Sequence, residues 1–249
     1  MDIIVCIKRV PDTETRIKIS ADGASIDPAG VKFILNPYDE FGIEEALKLK
    51  EAAGTGTVTV MTLGGEESKE TLRTALAMGA DQAVLLKGKP SPDGLGTAEK
   101  LAEAISGREF DLVLFGKQAI DDDNLHVPAM VAELLDVPCA TVVVAIELDG
   151  RKVTAKREVE GGHEIVEFEL PAVIAAQKGL NEPRYPSLKG IMMAKKKPME
   201  EIEVGDAEPR VEIIRLMKLP ERAEGEIIGE GPEAVPDLLR KLREEAKVL

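Results

Sequence analysis

Nine consecutive residues, Gly116-Lys117-Gln118-Ala119-Ile120-Asp121-Asp122-Asp123-Asn124, place a cation, two amides and three carboxylates in one short stretch. They follow an apolar run, Asp111–Phe115, and precede a helical period that starts at about Asn124. The carboxyl edge of a buried strand, followed by the N–H groups and positive dipole end of a helix, is a natural phosphate site. Three adjacent carboxylates oppose an anion there. The conflict is resolved if backbone amides and Lys117 face the phosphate while Asp121, Asp122 and Asp123 cap amides, accept from ribose hydroxyls or face solvent. The bland alternative is a polar loop with an acidic helix cap. A magnesium site built from the three aspartates is disfavoured, because adjacent side chains diverge.

A second helix start lies at Asn36-Pro37-Tyr38-Asp39-Glu40. Asn36 is a good cap, Pro37 suits the first helical position, and Asp39 and Glu40 favour the positive dipole end. This is a simple cap unless it converges on one pocket with the strand end at Cys6 and with Leu63-Gly64-Gly65. Catalytic sets are scarce. The two histidines, His126 and His163, have no obvious nucleophile partner in sequence, and His163 beside a Gly-Gly turn reads as a solvated residue. No zinc spacing, GxxxxGK[ST] loop or GxGxxG fingerprint is found.

The elements that must position these residues alternate up to about residue 140. Asp2–Lys8, Thr57–Leu63, Gln82–Leu86 and Asp111–Phe115 read as buried strands. Between them run helices with Ile43, Ala46 and Leu47, then Leu72, Ala75 and Leu76, then Leu95, Ala98, Leu101, Ala102 and Ile105 facing inward. Glu44 and Lys48 are expected as an outward pair on the first helix. Ile17–Ile19 and Ser25–Asp27 read as a small hairpin. A fourth helix places Val127, Met130, Val131, Leu134 and Leu135 inward. Buried strands joined by helices imply a parallel sheet. After Cys139 the pattern changes. Thr141–Leu148, Arg151–Glu158 and His163–Leu170 alternate apolar and polar, with Asp149-Gly150 and Gly161-Gly162 as hairpin turns. Ala172–Ala176 is one more buried strand. The expected architecture is an α/β domain, residues 1–183, with a Rossmann-like parallel sheet and an antiparallel extension. Residues 184–249 form a C-terminal arm with little regular period, ending in a helix at about Glu233–Lys247. Its apolar face, Val235, Leu238, Leu239 and Leu242, calls for a partner surface.

Composition narrows the function classes. The 249 residues carry a net charge of −14, which opposes a general nucleic-acid binder. Aromatics are 3% with no Trp, so base-stacking platforms are scarce. No apolar run approaches the roughly 20 residues of a membrane helix. Met1-Asp2-Ile3-Ile4-Val5 reads as a strand and not a signal peptide, and the expectation is a prokaryotic cytoplasmic protein. The two cysteines, Cys6 and Cys139, are expected as buried thiols in a reducing compartment. Late in the chain, Leu180–Leu188 holds two prolines and precedes Lys195-Lys196-Lys197. A Pro-framed loop with an exposed apolar residue and nearby cations suits a transient acidic partner, although such lysines are usually just solvated.

Taken together, VCIKRVPD (Val5–Asp12), NPYDEFGIEEALKLKE (Asn36–Glu51), TLRTALAMGAD (Thr71–Asp81), GKQAIDDD (Gly116–Asp123), REVEGG (Arg157–Gly162) and Leu170–Lys197 resemble the β subunit of electron-transfer flavoprotein. The resemblance spans almost the whole chain. It implies a fold of the adenine-nucleotide α-hydrolase type and a carrier subunit, not an enzyme, in a heterodimer with an α subunit that holds FAD. It implies a structural AMP held by Cys6, Asn36, Pro37, Tyr38, Asp39, Leu63, Gly116, Lys117, Gln118, Ala119, Ile120, Asp121, Asp122, Asp123, Asn124, Leu125, His126 and Val127. The arm is implied to wrap onto the α subunit. The segment Leu180–Lys197 matches a loop that docks acyl-CoA dehydrogenases, with Leu188 as anchor beside Arg184, Tyr185, Pro186, Ser187, Ile191, Met192, Lys195 and Lys196. Glu158 matches a glutamate near the mobile flavin domain, and a quinone oxidoreductase is the implied acceptor. The sequence departs from the pattern in places. Leu125-His126-Val127 stands where AMP-binding members commonly carry Asn-Gln-Thr, so His126 either supplies a donor or faces solvent. Asp122 matches the AMP-binding members, whereas Val127 matches electron-bifurcating ones, which bind a second FAD here and use NADH. Thr13 replaces an aromatic, and Lys189-Gly190 and Met193 depart from the usual docking loop. A nucleotide-sensing module without a redox role would share the fold.

Overall fold

Strands Asp2–Cys6 (β1), Thr57–Gly64 (β4), Gln82–Lys87 (β5), Leu112–Gly116 (β6) and Ala172–Ala176 (β10) are buried almost throughout, because helices cover both faces of the sheet they build. The computed structural model describes residues 1–220 and 224–249. Two short strands, Arg9–Pro11 (β2) and Phe33–Leu35 (β3), pair antiparallel beside the main sheet. The helices are Pro37–Ala53 (α1), Ser68–Met78 (α2), Leu95–Ser106 (α3) and Val127–Leu135 (α4). Alternation along β1 sorts the core. Ile3 and Val5 pack with Ile43 and Ala46 of α1 and Leu72 and Leu76 of α2. Ile4 and Cys6 pack on the other face with Ala98 and Ile105 of α3 and Val131 and Ala132 of α4. Each of the Val, Ile and Leu side chains among these contributes about 1.5–3 kcal/mol of burial.

Three strands form the antiparallel extension: Cys139–Asp149 (β7), Lys152–Val159 (β8) and Gly162–Glu169 (β9). Beyond β10 come helix Leu188–Ala194 (α5) and strand Met199–Glu203 (β11). The nine-stranded order is β11-β5-β4-β1-β6-β10-β7-β8-β9. All neighbours from β11 to β7 run parallel, so the expected α/β class with an antiparallel extension is the observed one. The chain lays β4 and β5 on one side of β1 and β6 on the other. A crevice therefore opens at the carboxyl end of β1.

The chain divides into two units, Met1–Arg215 and Leu216–Leu249. The second unit carries helix Val235–Glu244 (α6), shorter at both ends than expected, with Val235, Leu238 and Leu239 exposed. Lys241 of this helix pairs with Glu226 at 2.6 Å. No helix among the described residues is long and apolar enough to cross a membrane.

Several local expectations are corrected. The stretch after Pro183 is not devoid of regular structure. β11 pairs with β5 in register from Met199↔Ala83 to Glu203↔Lys87, a pairing partner that no local period announces. The small hairpin expected at residues 17–27 is present in minimal form, with the antiparallel bridge Ile19↔Ile26 flanked by Ser20 N to Ser25 O and Asp27 N to Lys18 O. The helix expected from Asn124 begins at Val127, since Asp123 and Leu125 adopt positive φ, which stops helical continuation. Leu134 is exposed, because α4 ends one residue later and presents Val131 to the core instead. Cys139 is exposed while Cys6 is buried. Cys139 is the first residue of β7 and lies on the face opposite buried Ala140.

Glu44 is likewise not half of an outward pair. It is buried on α1, and Arg184 covers it, with Nε to Glu44 Oε2 at 2.8 Å and Nη2 to Oε1 at 3.0 Å. Arg184 Nη1 also reaches Glu51 Oε1 at 2.7 Å, and Lys48 turns instead to Glu45. The fork geometry of guanidinium suits this double clamp, and lysine would not replace it. Arg184→Ala strands a buried carboxylate and is expected to cost about 2 kcal/mol. A urea midpoint that does not move would show that the clamp contributes nothing, and Glu44→Gln added to Arg184→Ala should recover part of the loss.

Candidate functional site

The crevice at the end of β1 is a cleft with two adjoining lobes, about 120 and 670 Å³, that share Lys8, Leu63 and Pro90. The smaller lobe is walled by Cys6, Leu63, Leu101, Phe115 and Val127 and edged by Gly116–Ala119 and Asp122. Of the residues expected at a nucleotide site, it brings together Cys6, Asp39, Leu63, Gly116, Lys117, Gln118, Ala119, Asp122, Asn124, Leu125, His126 and Val127. Asn36, Pro37, Tyr38, Ile120, Asp121 and Asp123 do not line it.

Those absentees hold the loop in place. Asn36 is positioned as the cap of α1, but its side chain makes no capping bond. Its Nδ2 donates to Asp39 Oδ1 and to Gln118 O, both at 2.8 Å, and its Oδ1 accepts from Ile120 N at 3.2 Å. Tertiary partners thus outcompete the local cap. Asp39, 5% exposed, accepts from Lys8 N at 2.7 Å and Gly116 N at 3.1 Å. One carboxylate joins the end of β1, the start of α1 and the end of β6. A Cβ on Gly116 would collide with Asp39 Oδ1 and the backbone of Tyr38, so glycine is required there.

Desolvation pushes the Asp39 carboxyl up to about 7, against its bonds from Asn36, Lys8 N and Gly116 N and the charge of Lys8. Burial, with Asp39 nearby, also raises the Cys6 thiol, so Cys6 is an inert wall residue and not a nucleophile.

The acidic triplet is compensated within the chain. Lys8 Nζ lies 2.8 Å from Asp121 Oδ1 and 2.9 Å from Asp122 Oδ2. Asp123 accepts from Gln118 Nε2. Lys117 Nζ sits 5.0 Å from the Tyr38 ring centroid, a cation–π distance. Within the loop, the N–H groups of Lys117, Ile120, Asp123 and Asn124 are engaged by Ala176 O, Asn36, Ala119 O and Asp122. Among the described residues, those of Gln118, Ala119, Asp122 and His126 have no such partner. His126 Nε2 is buried without a hydrogen-bond partner, and the residue lines the smaller lobe. A group that can accept or donate there would fit a ligand rich in polar atoms, such as a nucleotide.

The sequence reading missed Lys8, although a cation two residues past a strand end was a usable signal. It also missed Pro90, Ser91 and Gly94, from the connection between β5 and α3, and Thr97 in the first turn of α3. Their signal was Ser91-Pro92-Asp93-Gly94, a helix start in which Asp93 accepts from Leu95 N at 3.0 Å. Among the described residues no cluster of His, Cys, Asp and Glu could hold a metal ion.

A family model for the electron transfer flavoprotein domain matches residues 24–207. The chain is 45% identical to the electron transfer flavoprotein subunit beta of Bacillus subtilis over the full length of both. It is 42% identical to that of Syntrophomonas wolfei, covering 94% of this chain and 92% of the relative. It is 38% identical to the human protein of the same name, covering 99% and 98%. The chain belongs to the electron transfer flavoprotein β-subunit family.

In this β subunit the residues expected at a docking loop are split. Tyr185, Leu188, Ile191 and Met192 are exposed, with Tyr185 95% and Leu188 84% accessible. Lys195 and Lys196 are exposed beside them. Arg184 is not part of that surface, because Glu44 and Glu51 hold it. Ser187 Oγ caps α5 by accepting from Gly190 N at 3.0 Å, and Pro186 stands just before it. Gly190 sits so close to Ala77 O of α2 that a Cβ would collide. Lys197 is not solvated with its neighbours. Its Nζ donates to Leu76 O and Ala80 O at 2.9 and 2.6 Å, where helix-end carbonyls need donors. Glu158 accepts from Gln177 Nε2 at 2.8 Å and lies on β8, towards the other end of the sheet from α2 and α5.

Asp39 binds its proton more tightly in the folded chain, near 7, than in an unfolded chain, near 4. Its contribution to stability is therefore full below about pH 4 and is lost as the pH rises through 7. Asp39→Asn, which cannot titrate and turns one donor towards other donors, should destabilise the chain most at pH 5. The gap should shrink by about 2 kcal/mol at pH 8, read from urea midpoints. A gap that widens with pH would overturn this assignment.

Proposed function

We propose that this chain is the β subunit of a heterodimeric electron transfer flavoprotein, that it holds AMP structurally in the cleft at the end of β1, and that its α subunit holds the FAD. The observation that carries the nucleotide reading is the smaller lobe itself. Apolar side chains wall it, free loop amides stand at the carboxyl edge of β6, and the unpartnered His126 Nε2 lies at the start of α4. Apolar walls suit a base, and oriented amides with a helix N-terminus suit a phosphate. Asp39 and Gly116 would hold the floor of the site, and Gln118, Ala119 and His126 would supply hydrogen bonds. FAD supplies the one-electron chemistry, and this chain positions its partners. It is a carrier subunit, not an enzyme, in a prokaryotic cytoplasm.

The chain also docks acyl-CoA dehydrogenase-type flavoenzymes through α5 and passes electrons onward to a quinone oxidoreductase. Support comes from the contrast between base and tip. The Arg184 clamp, the Ser187 cap, the close Gly190–Ala77 approach and Lys197 on the end of α2 fix the base. Tyr185, Leu188 and Met192 present an apolar tip with Lys195 and Lys196 alongside. A small, preordered apolar anchor with cationic flanks allows fast, reversible docking. The terminal α6, with its exposed apolar face, is the segment that wraps onto the α subunit.

Denaturing the purified heterodimer and counting the released ligands tests the cleft. One FAD and one AMP per heterodimer is the expected result. Two FAD and no AMP would replace the reading with electron bifurcation, in keeping with Val127 on the cleft wall. Leu188→Ala should slow reduction by the dehydrogenase at least tenfold with nucleotide content unchanged. An unaltered rate would remove Leu188 as anchor.

A further inference from the structure

Lys8 stands where the two lobes meet and borders both. Its ammonium is shared between Asp121 and Asp122, at 2.8 and 2.9 Å. Burial works against its charge, and the bonds and charges of the two aspartates outweigh that and raise its pKa. Asp122 borders the smaller lobe, the lobe that offers free amides and His126 Nε2. Without Lys8, Asp122 would stand uncompensated at the edge of that lobe, with Asp121 next to it just outside the lining and Asp39 on the floor. Among the described residues, Lys117 would be the one remaining cation bordering it, and its ammonium lies over Tyr38. Charges lining one cavity are separated by less than a screening length in physiological salt, so such a lobe would repel an anion.

We propose that Lys8 is the positioning residue that lets an acidic loop accept an anionic ligand. It neutralises Asp121 and Asp122 and holds them off the phosphate, and so sets the preference for a nucleotide over a nucleoside. The inference rests on the nucleotide reading of the cleft and adds the residue that determines its ligand's charge. A direct Lys8–phosphate contact is a different arrangement, and the two part in their response to removal of the aspartates. A neutraliser becomes dispensable once its carboxylates are gone, whereas a direct contact does not.

The test uses the heterodimer stripped of nucleotide and titrated calorimetrically with AMP and with adenosine. Lys8→Met should weaken AMP at least tenfold and shift adenosine less than threefold. Adding Asp121→Asn and Asp122→Asn to Lys8→Met should restore AMP to within threefold of the unaltered protein. Asp121→Asn with Asp122→Asn and Lys8 retained should tighten AMP and leave adenosine unchanged, a measurement that stands even where Lys8→Met fails to fold. Equal weakening of AMP and adenosine, no weakening of AMP, or no recovery in the triple variant would each overturn the proposal. Should the unaltered heterodimer bind neither compound, the nucleotide reading falls and takes this one with it. Tight AMP binding insensitive to Lys8 removes the inference alone.

Discussion

One buried carboxylate holds the site together. A parallel sheet that changes winding direction at β1 leaves three chain ends side by side, from β1, β6 and the start of α1, each with backbone groups to satisfy. Asp39 accepts from the first two through Lys8 N and Gly116 N, and from Asn36 for the third. Asn36 carries the tie onward to Gln118 O and Ile120 N. The loop that edges the cleft is thereby held from beneath by residues that do not line it. Removing any member leaves a buried polar atom unpaired, which costs more than a surface bond contributes. The glycine at position 116 follows from the same constraint, since the carboxylate and the Tyr38 backbone occupy the space of a side chain.

Ion pairs compensate selected carboxylates of this acidic chain. Lys8 answers Asp121 and Asp122, and Arg184 answers Glu44 and Glu51. Lys69 and Lys87 bind Glu66 and Glu201 between α2, β5 and β11. The last set is exposed and modest in energy, yet it lies where β11 closes the edge of the sheet. Apart from Lys69–Glu66, three positions apart, these pairs link residues distant in sequence, so they fix how elements sit and not whether they form. The docking helix α5 shows the same division, since its own seven residues are too few for a stable helix. Ser187, Lys197 and the packing on α2 hold it.

Eight of the nine strands of the main sheet, among them the antiparallel meander, and helices α1–α4 were legible in the sequence, because burial on two faces, helical spacing and alternation each leave a distinct pattern, whereas the short β2–β3 pair was not. The loop at Gly116–Asn124 was legible as a site from its residue types and its place after a buried strand. Less legible were α5 and β11. A seven-residue helix spans too few turns to establish a period, and an edge strand with glutamates at three of five positions looks like a loop. Cys139 misled because cysteine is usually buried, and the side of the strand on which it falls depends on what packs there.

By itself, then, the sequence determined the layers of the fold, the two-faced burial of the central strands and the neighbourhood of the cleft, since these depend on local periodicity and residue type. Only the tertiary structure decided the roles within that neighbourhood. It made Asn36 a brace and not a cap, turned Arg184 inward onto Glu44, set Lys8 against the aspartates and left His126 Nε2 buried and unpaired. Each of these depends on partners between 82 and 140 residues away, or on the lack of one, and hydrogen bonds and charge pairs at that separation leave no periodic trace in the chain.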